Sequence, residues 1–280
     1  MTSIQSYDCK DVDIVFQRDF TKGWNPSEFS FVFGLDGAES QNSTNGLTVS
    51  SVPFTATTPI GNEHVKWLRF YKNPYVLPST HETIFEAVMS MRQVIDPNTI
   101  PPLMAPRIRN IRDDIRLCSA AFNVIDTQTW MVFDYILSDT AIYAFYERLP
   151  FGKPNPSNPT APDYAAFSNA VLVRKRSGAD PLNDTVRLGI GLNPKYKTVT
   201  WYIDGEQVFQ WNRVGMRMPE EYRMLDHGGP EVSVFPTQAF FGMGTFSLLD
   251  MALPHNYDRT LVNDVGSEKN INQSHLVQLD

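Results

Sequence analysis

The chain has 280 residues, with 24 Lys and Arg against 31 Asp and Glu and a formal net charge of −7 at pH 7. That length can bury a proper core as one large β domain or two small ones. The acidic balance offers no global positive field to attract phosphates, and no apolar run reaches membrane-spanning length, so neither nucleic acid nor membrane is an expected partner.

The N-terminus, MTSIQSYDCKDVDIVF, lacks the basic start and continuous apolar core of a secretory signal. Two cysteines, Cys9 and Cys118, are too few for a disulfide framework, so reduced thiols and a cytoplasmic location are expected. EHVKWLRFY then alternates, with Glu63, Trp67 and Arg69 on one side and His64 and Lys66 on the other. Arg69 beside Trp67 suits a carboxylate or an aromatic ligand, whereas Lys66 equally suits an edge-strand guard. ETIFEAVMSMR and LCSAAFNVI continue the period of two on either side of a long proline-rich connection, DPNTIPPLMAPRIRNIRDD. Connections beyond about 12 to 15 residues tend to be lids or binding loops, which makes this one a candidate wall of a site. Its arginines, like Arg174 and Arg176 further on, are expected on solvated loop faces.

The segment TWMVFDYILSDTAIYAFYERL folds into a strand pair if Asp139-Thr140 is a two-residue turn and Ser138 faces Ala141. One face then carries Met131, Phe133, Tyr135 and Leu137 beside Ile142, Ala144 and Tyr146, apolar enough for the core. The other carries Trp130, Val132, Asp134 and Ile136 beside Tyr143, Phe145 and Glu147, so that acidic and phenolic groups project from a partly aromatic surface. On that mixed face Asp134 or Glu147 is a candidate general acid or base, and Tyr143 a proton donor to a developing oxyanion. The alternative is that both carboxylates bond neighbouring strands or pair with arginines. Trp130 is a candidate positioning group, and Tyr146 joins it only if the turn has another length.

A second proline-rich loop, LPFGKPNPSNPTAPDY, is the other candidate wall, followed by the strands AFSNAVLV and TVRLGIGL. In TVTWYIDGEQVFQW, Val199, Trp201 and Ile203 alternate with polar neighbours up to Asp204-Gly205, the dipeptide of a tight type I′ turn, which predicts a hairpin. PEEYRMLDHGG is the best helix, with Pro219 at its start and Gly228 at its stop. There His227 is either a proton shuttle or a helix-capping group. AFFGMGTFSLL is the last clear strand, giving a single sandwich domain over residues 1–260 and a polar tail over 261–280.

Many short antiparallel strands imply an all-β sandwich or barrel. The TWYIDGEQVF hairpin and the strand ETIFEAVMS resemble the concanavalin A-like lectin and glucanase jelly roll, which implies an antiparallel β-sandwich with one or two short helices. EHVKWL, MVFDYILSDTAIYAFYERLPFG, MLDHGG and GMGTFSLLD resemble an uncharacterised family of bacterial and fungal proteins, which supplies no catalytic residue. Glucanases of this fold place E-x-D-x-E on one strand, and FEAVMS, MVFDYIL and FYERL each carry a single carboxylate, which disfavours that chemistry. The five histidines, His64, His81, His227, His255 and His275, show no metal-ligand spacing, so no metal is expected, although a calcium ion held by carboxylates and carbonyls stays open. No G-x-G-x-x-G frame supports a cofactor. The expected function is therefore a cytosolic, cofactor-independent isomerase, cyclase or lyase acting on a small-molecule ligand by acid–base catalysis in an aromatic-lined pocket, with Asp134, Glu147, Tyr143 and His227 in proton transfer and Trp67, Arg69 and Trp130 in positioning. The rival is a non-catalytic lectin-like module that binds a carbohydrate or a partner through stacked aromatics.

Overall fold

The computed structural model describes residues 8, 13–35, 37–44, 46–51, 65–95, 112, 115, 118–246 and 273–279. The strands are β1 (Phe29–Leu35), β2 (Gly37–Asn42), β3 (Gly46–Ser51), β4 (Val65–Tyr71), β5 (Tyr75–Val76), β6 (Thr83–Ile95), β7 (Ser119–Asp126) and β8 (Met131–Leu137). They continue as β9 (Ala141–Arg148), β10 (Phe167–Lys175), β11 (Val186–Asn193), β12 (Thr198–Ile203), β13 (Glu206–Trp211), β14 (Arg223–Asp226), β15 (Gln238–Phe246) and β16 (Gln273–Leu279). Among the described residues they build two antiparallel sheets. One has nine strands in the order β1-β4-β15-β7-β8-β9-β10-β14, with β5 on β15, and the other has seven in the order β13-β12-β11-β6-β16-β3-β2. The chain passes repeatedly from one sheet to the other, giving the β-sandwich that the strand pattern leaves open beside a barrel, of the jelly-roll type that the resemblance implies.

The alternation decides what lies between the sheets. Phe122, Phe133, Tyr135 and Tyr146 from the nine-stranded sheet meet Met89, Leu188, Ile190 and Trp201 from the other, all buried in one core. The hydrogen bonds that join the sheets include two between β8 and β12. The Trp201 Nε1–H donates to the Asp134 carbonyl at 2.9 Å, and the Tyr135 hydroxyl donates to the Tyr202 carbonyl at 2.7 Å. Both satisfy polar tips of large buried side chains, and both fix the register of one sheet against the other. The Asp204-Gly205 hairpin forms as read, with φ of 56° and 87° at its two turn residues.

Two elements differ from the sequence reading. PEEYRMLDHGG is a helix only over the single 3-10 turn Glu220–Tyr222, after which Arg223–Asp226 extend as β14 against β10. Ladder bonds along β10 outweigh the helix signals of a segment too short to nucleate well. The stretch set apart as a polar tail contributes β16, inserted between β6 and β3. Backbone pairing is indifferent to side-chain polarity, and the thirteen-residue β6 offers a long row of donors and acceptors to pair.

Candidate functional site

The β8–β9 hairpin has the predicted register. The Ser138 N–H bonds the Ala141 carbonyl at 2.9 Å across the Asp139-Thr140 turn, and Asp134 lies opposite Phe145 while Ile136 lies opposite Tyr143. Met131, Phe133, Tyr135 and Leu137 enter the core with Ile142, Ala144 and Tyr146. Asp134, Tyr143 and Glu147 therefore share the outward face of the nine-stranded sheet, with Asn123 of β7 directly opposite Asp134.

This face is not open polar surface. Ile136 and Phe145 join Leu68, Phe70, Ala121, Phe246 and Ile115 in a second buried apolar cluster, with Tyr143 packed against it. Asp134 is only 4% exposed and Asn123 only 3%. Burial first, and the nearby Glu147 second, push the Asp134 carboxyl well above its ordinary 3.8, against weaker pulls from the Asn123 side chain and the Val124 backbone. The uncharged acid is thus the favoured form. One side-chain oxygen of Asp134 and one of Asn123 are buried with no hydrogen-bond partner, an arrangement that costs stability. The Trp201 bond to the Asp134 carbonyl clamps the strand at this residue.

The other predicted residues lie elsewhere. Trp67 and Arg69 are on the inward side of β4, because Leu68 and Phe70 take its outward side. There the Trp67 Nε1–H donates to Glu39 at 2.7 Å and Arg69 pairs with the same carboxylate at 3.0 Å, while Trp24 donates to its second oxygen at 2.8 Å. Glu39, a side chain of the protein itself, thus occupies the Trp67–Arg69 pair where a carboxylate or aromatic ligand was expected. Tyr146 is buried in the core, where its hydroxyl accepts from the Gly215 N–H at 2.7 Å. Trp130 is not a strand residue; it has φ of 59° in the turn before β8 and packs edge-on against Phe151. His227 is exposed beyond the end of β14, with its backbone N–H on the Ala166 carbonyl, and β9 and β10 separate its strand from Asp134.

Of the two proline-rich loops, residues 96–114 fall outside the described residues apart from Arg112. The other is latched. Lys153 donates to the Tyr164 carbonyl at 2.8 Å and to the Gly228 carbonyl at 3.1 Å, the Tyr164 hydroxyl donates to the Leu149 carbonyl, and Arg148 lies over the Tyr164 ring at 4.0 Å. Arg176, expected on a solvated loop, is buried instead and bonds Asp184, Ser138 and Pro181. Glu63, His64 and His255 lie outside the described residues. Among the described residues no group of three His, Cys, Asp or Glu side chains could hold a metal ion.

One feature went unread in the sequence. An open cleft of about 700 Å³ lies at the sandwich edge, lined by Trp211, Arg213, Arg217, Met218, Arg223 and Asp226, among others. It sits where β13 ends one sheet and β14 ends the other. Arg217 is bidentate to Asp226 at 2.8 and 2.9 Å, and this hydrogen bonding holds the Asp226 carboxyl below its ordinary 3.8. The cluster of arginines around a tryptophan in WNRVGMRMPEEYR was the signal that could have found it.

Comparison with known proteins gives kinship without chemistry. Among solved structures, the endo-1,3-β-glucanase of Streptomyces sioyaensis is 11% identical at a TM-score of 0.47, covering 95% of this chain and 94% of its own. A Bacillus licheniformis β-glucanase is 12% identical at 0.44, covering 92% of each. The carbohydrate binding module CBM66 from Bacillus subtilis is 10% identical at 0.34, covering 90% of this chain and 92% of its own. No residue or activity is transferred from these. "Uncharacterized protein L829" of Acanthamoeba polyphaga mimivirus is 48% identical over 322 residues, spanning 97% of this chain and 74% of that one. Residues 37–271 match the model described as "Family of unknown function (DUF6081)", and the chain belongs to that family.

Proposed function

We propose that the chain is a cofactor-independent acid–base enzyme of the cytoplasm, of isomerase, cyclase or lyase type, acting on a small molecule at the outward face of the nine-stranded sheet. The observation that carries this reading is Asp134, a carboxyl sunk in an apolar cluster, held toward its protonated form and left with one unpartnered oxygen. Natural chains keep such a group where its protonation state is used, because it weakens the fold. Asp134 gives its proton to an oxygen on which negative charge develops, Tyr143 donates a hydrogen bond to the same oxygen, and Glu147 takes a proton from the neighbouring carbon. Return of the Glu147 proton to carbon, with the oxygen's proton going back to Asp134, restores both groups to their starting forms and closes the cycle. Phe145, Ile136 and Phe70 favour a substrate with an apolar body.

The test is incubation of a cell metabolite extract with the purified protein in D2O, followed by mass spectrometry. The wild type is expected to alter or deuterate a small set of metabolites, and Asp134→Asn and Glu147→Gln to lose that change while staying folded. An extract unchanged by the wild type, or changed equally by Asp134→Asn, overturns the proposal.

A further inference from the structure

The edge cleft is separate from the Asp134 face and differs from it in chemistry. Two of its three arginines are committed. Arg217 is held by Asp226 and by the Gly229 carbonyl at 3.1 Å, and Arg223 donates to the Met218 carbonyl at 3.2 Å with Asp226 at 3.5 Å. Glu231 is also engaged, accepting from the Arg217 backbone N–H at 2.7 Å. Arg213 is exposed, and among the described residues no carboxylate or carbonyl engages its guanidinium. Trp211 stands two residues away, half-buried with its ring centroid 6.1 Å from that of Tyr146 and its Nε1–H already given to the Arg213 carbonyl at 2.9 Å, so that the remaining ring surface rather than a donor lines the cleft. Met218 and Pro219 extend the apolar part of the wall. The Gly215 bond to Tyr146 ties the loop carrying these groups to the core, so that guanidinium and ring are held in place together.

We infer that this cleft binds a ring-borne carboxylate, with Arg213 pairing the carboxylate and Trp211 stacking on the ring. Guanidinium matches a carboxylate bidentately, and an indole face accepts either the C–H face of a sugar or an aromatic ring. The shared chemistry therefore has two sources, a sugar acid and an aromatic acid.

Saturation-transfer NMR and calorimetry on the full chain separate them, using glucuronate and benzoate, each against its neutral counterpart, glucose or benzyl alcohol. At least one acid is expected to bind at millimolar concentration in preference to its counterpart, and which acid binds names the source. Arg213→Gln is expected to weaken that binding about tenfold or more, the loss of one charge-assisted pair. Trp211→Ala is expected to weaken both the acid and any residual binding of the neutral ring, and Asp134→Asn to leave the affinity unchanged. Acids binding no better than neutral rings, or full affinity retained in Arg213→Gln, overturns the inference. That outcome leaves the Asp134 reading intact, as loss of the metabolite change leaves this one.

Discussion

Tyr146 and Asp134 illustrate opposite fates of a polar side chain in this sandwich. The Tyr146 hydroxyl is buried yet satisfied, accepting from Gly215 at 2.7 Å and donating to the Met216 carbonyl at 3.0 Å, with burial raising its pKa. Tyr146→Phe strands the Gly215 N–H without water, so denaturant unfolding should show a loss of about 1 to 3 kcal/mol. An unchanged midpoint would mean that the 212–219 loop holds itself. The placement of Asp134, Tyr143 and Glu147 on one face was legible because a two-residue turn fixes which residues face each other. Trp67 and Arg69 were correctly read as neighbours, but alternation states that two residues share a side without stating which side meets the other sheet. The partner that resolves it, Glu39, lies 28 residues from Trp67 and carries no local signal.

Hairpins and loops of this chain owe their geometry to a few backbone positions. Gly205 sits at φ 87° in the β12–β13 turn, where a Cβ is strained, so Gly205→Ala should cost about 1 to 2 kcal/mol in thermal or chemical unfolding. The loop between β9 and β10 has a different anchor, the single Lys153 ammonium shared by the Tyr164 and Gly228 carbonyls and Asp163. Lys153→Met should speed limited proteolysis within residues 154–162 while leaving the global midpoint nearly in place, and equal cleavage of the two proteins would remove Lys153 from that role. Strong local signals, an Asp-Gly turn between alternating runs, translated directly into strands. Weak ones did not: the helix expected at Pro219 gave way to pairing with β10, and β16 arose in a polar stretch, because ladder partners distant in sequence decide both. The edge cleft left a partial signal in the arginines and tryptophan of residues 211–223, but its walls come together only in the fold, from the end of β13, the following loop, β14 and Glu231.

The two sheets behave as one body because their ties are mutual. Trp201 bonds the Asp134 carbonyl, Tyr135 bonds Tyr202, and the Asp139 carboxylate in the β8–β9 turn accepts from the Gln93 N–H of β6 at 2.6 Å. Asp134 thus sits at a point where the backbone is held from the opposite sheet while its side chain faces the outer apolar cluster, and its protonation is felt by the stability of the entire fold. The folded chain binds the Asp134 proton more tightly than the unfolded chain does, so stability present below pH 3.8 is withdrawn as pH rises above that value. Once the folded-state titration is complete the loss stays constant. An amide at this position carries no such penalty. The decisive measurement is therefore the thermal unfolding midpoint of wild type and Asp134→Asn as a function of pH, from below 3.8 to neutrality. The expected result is that the variant becomes progressively the more stable of the two as pH rises, while the metabolite change is lost. A variant less stable than wild type at neutral pH, or a difference that does not vary with pH, would contradict the buried, uncharged acid on which the proposed chemistry rests.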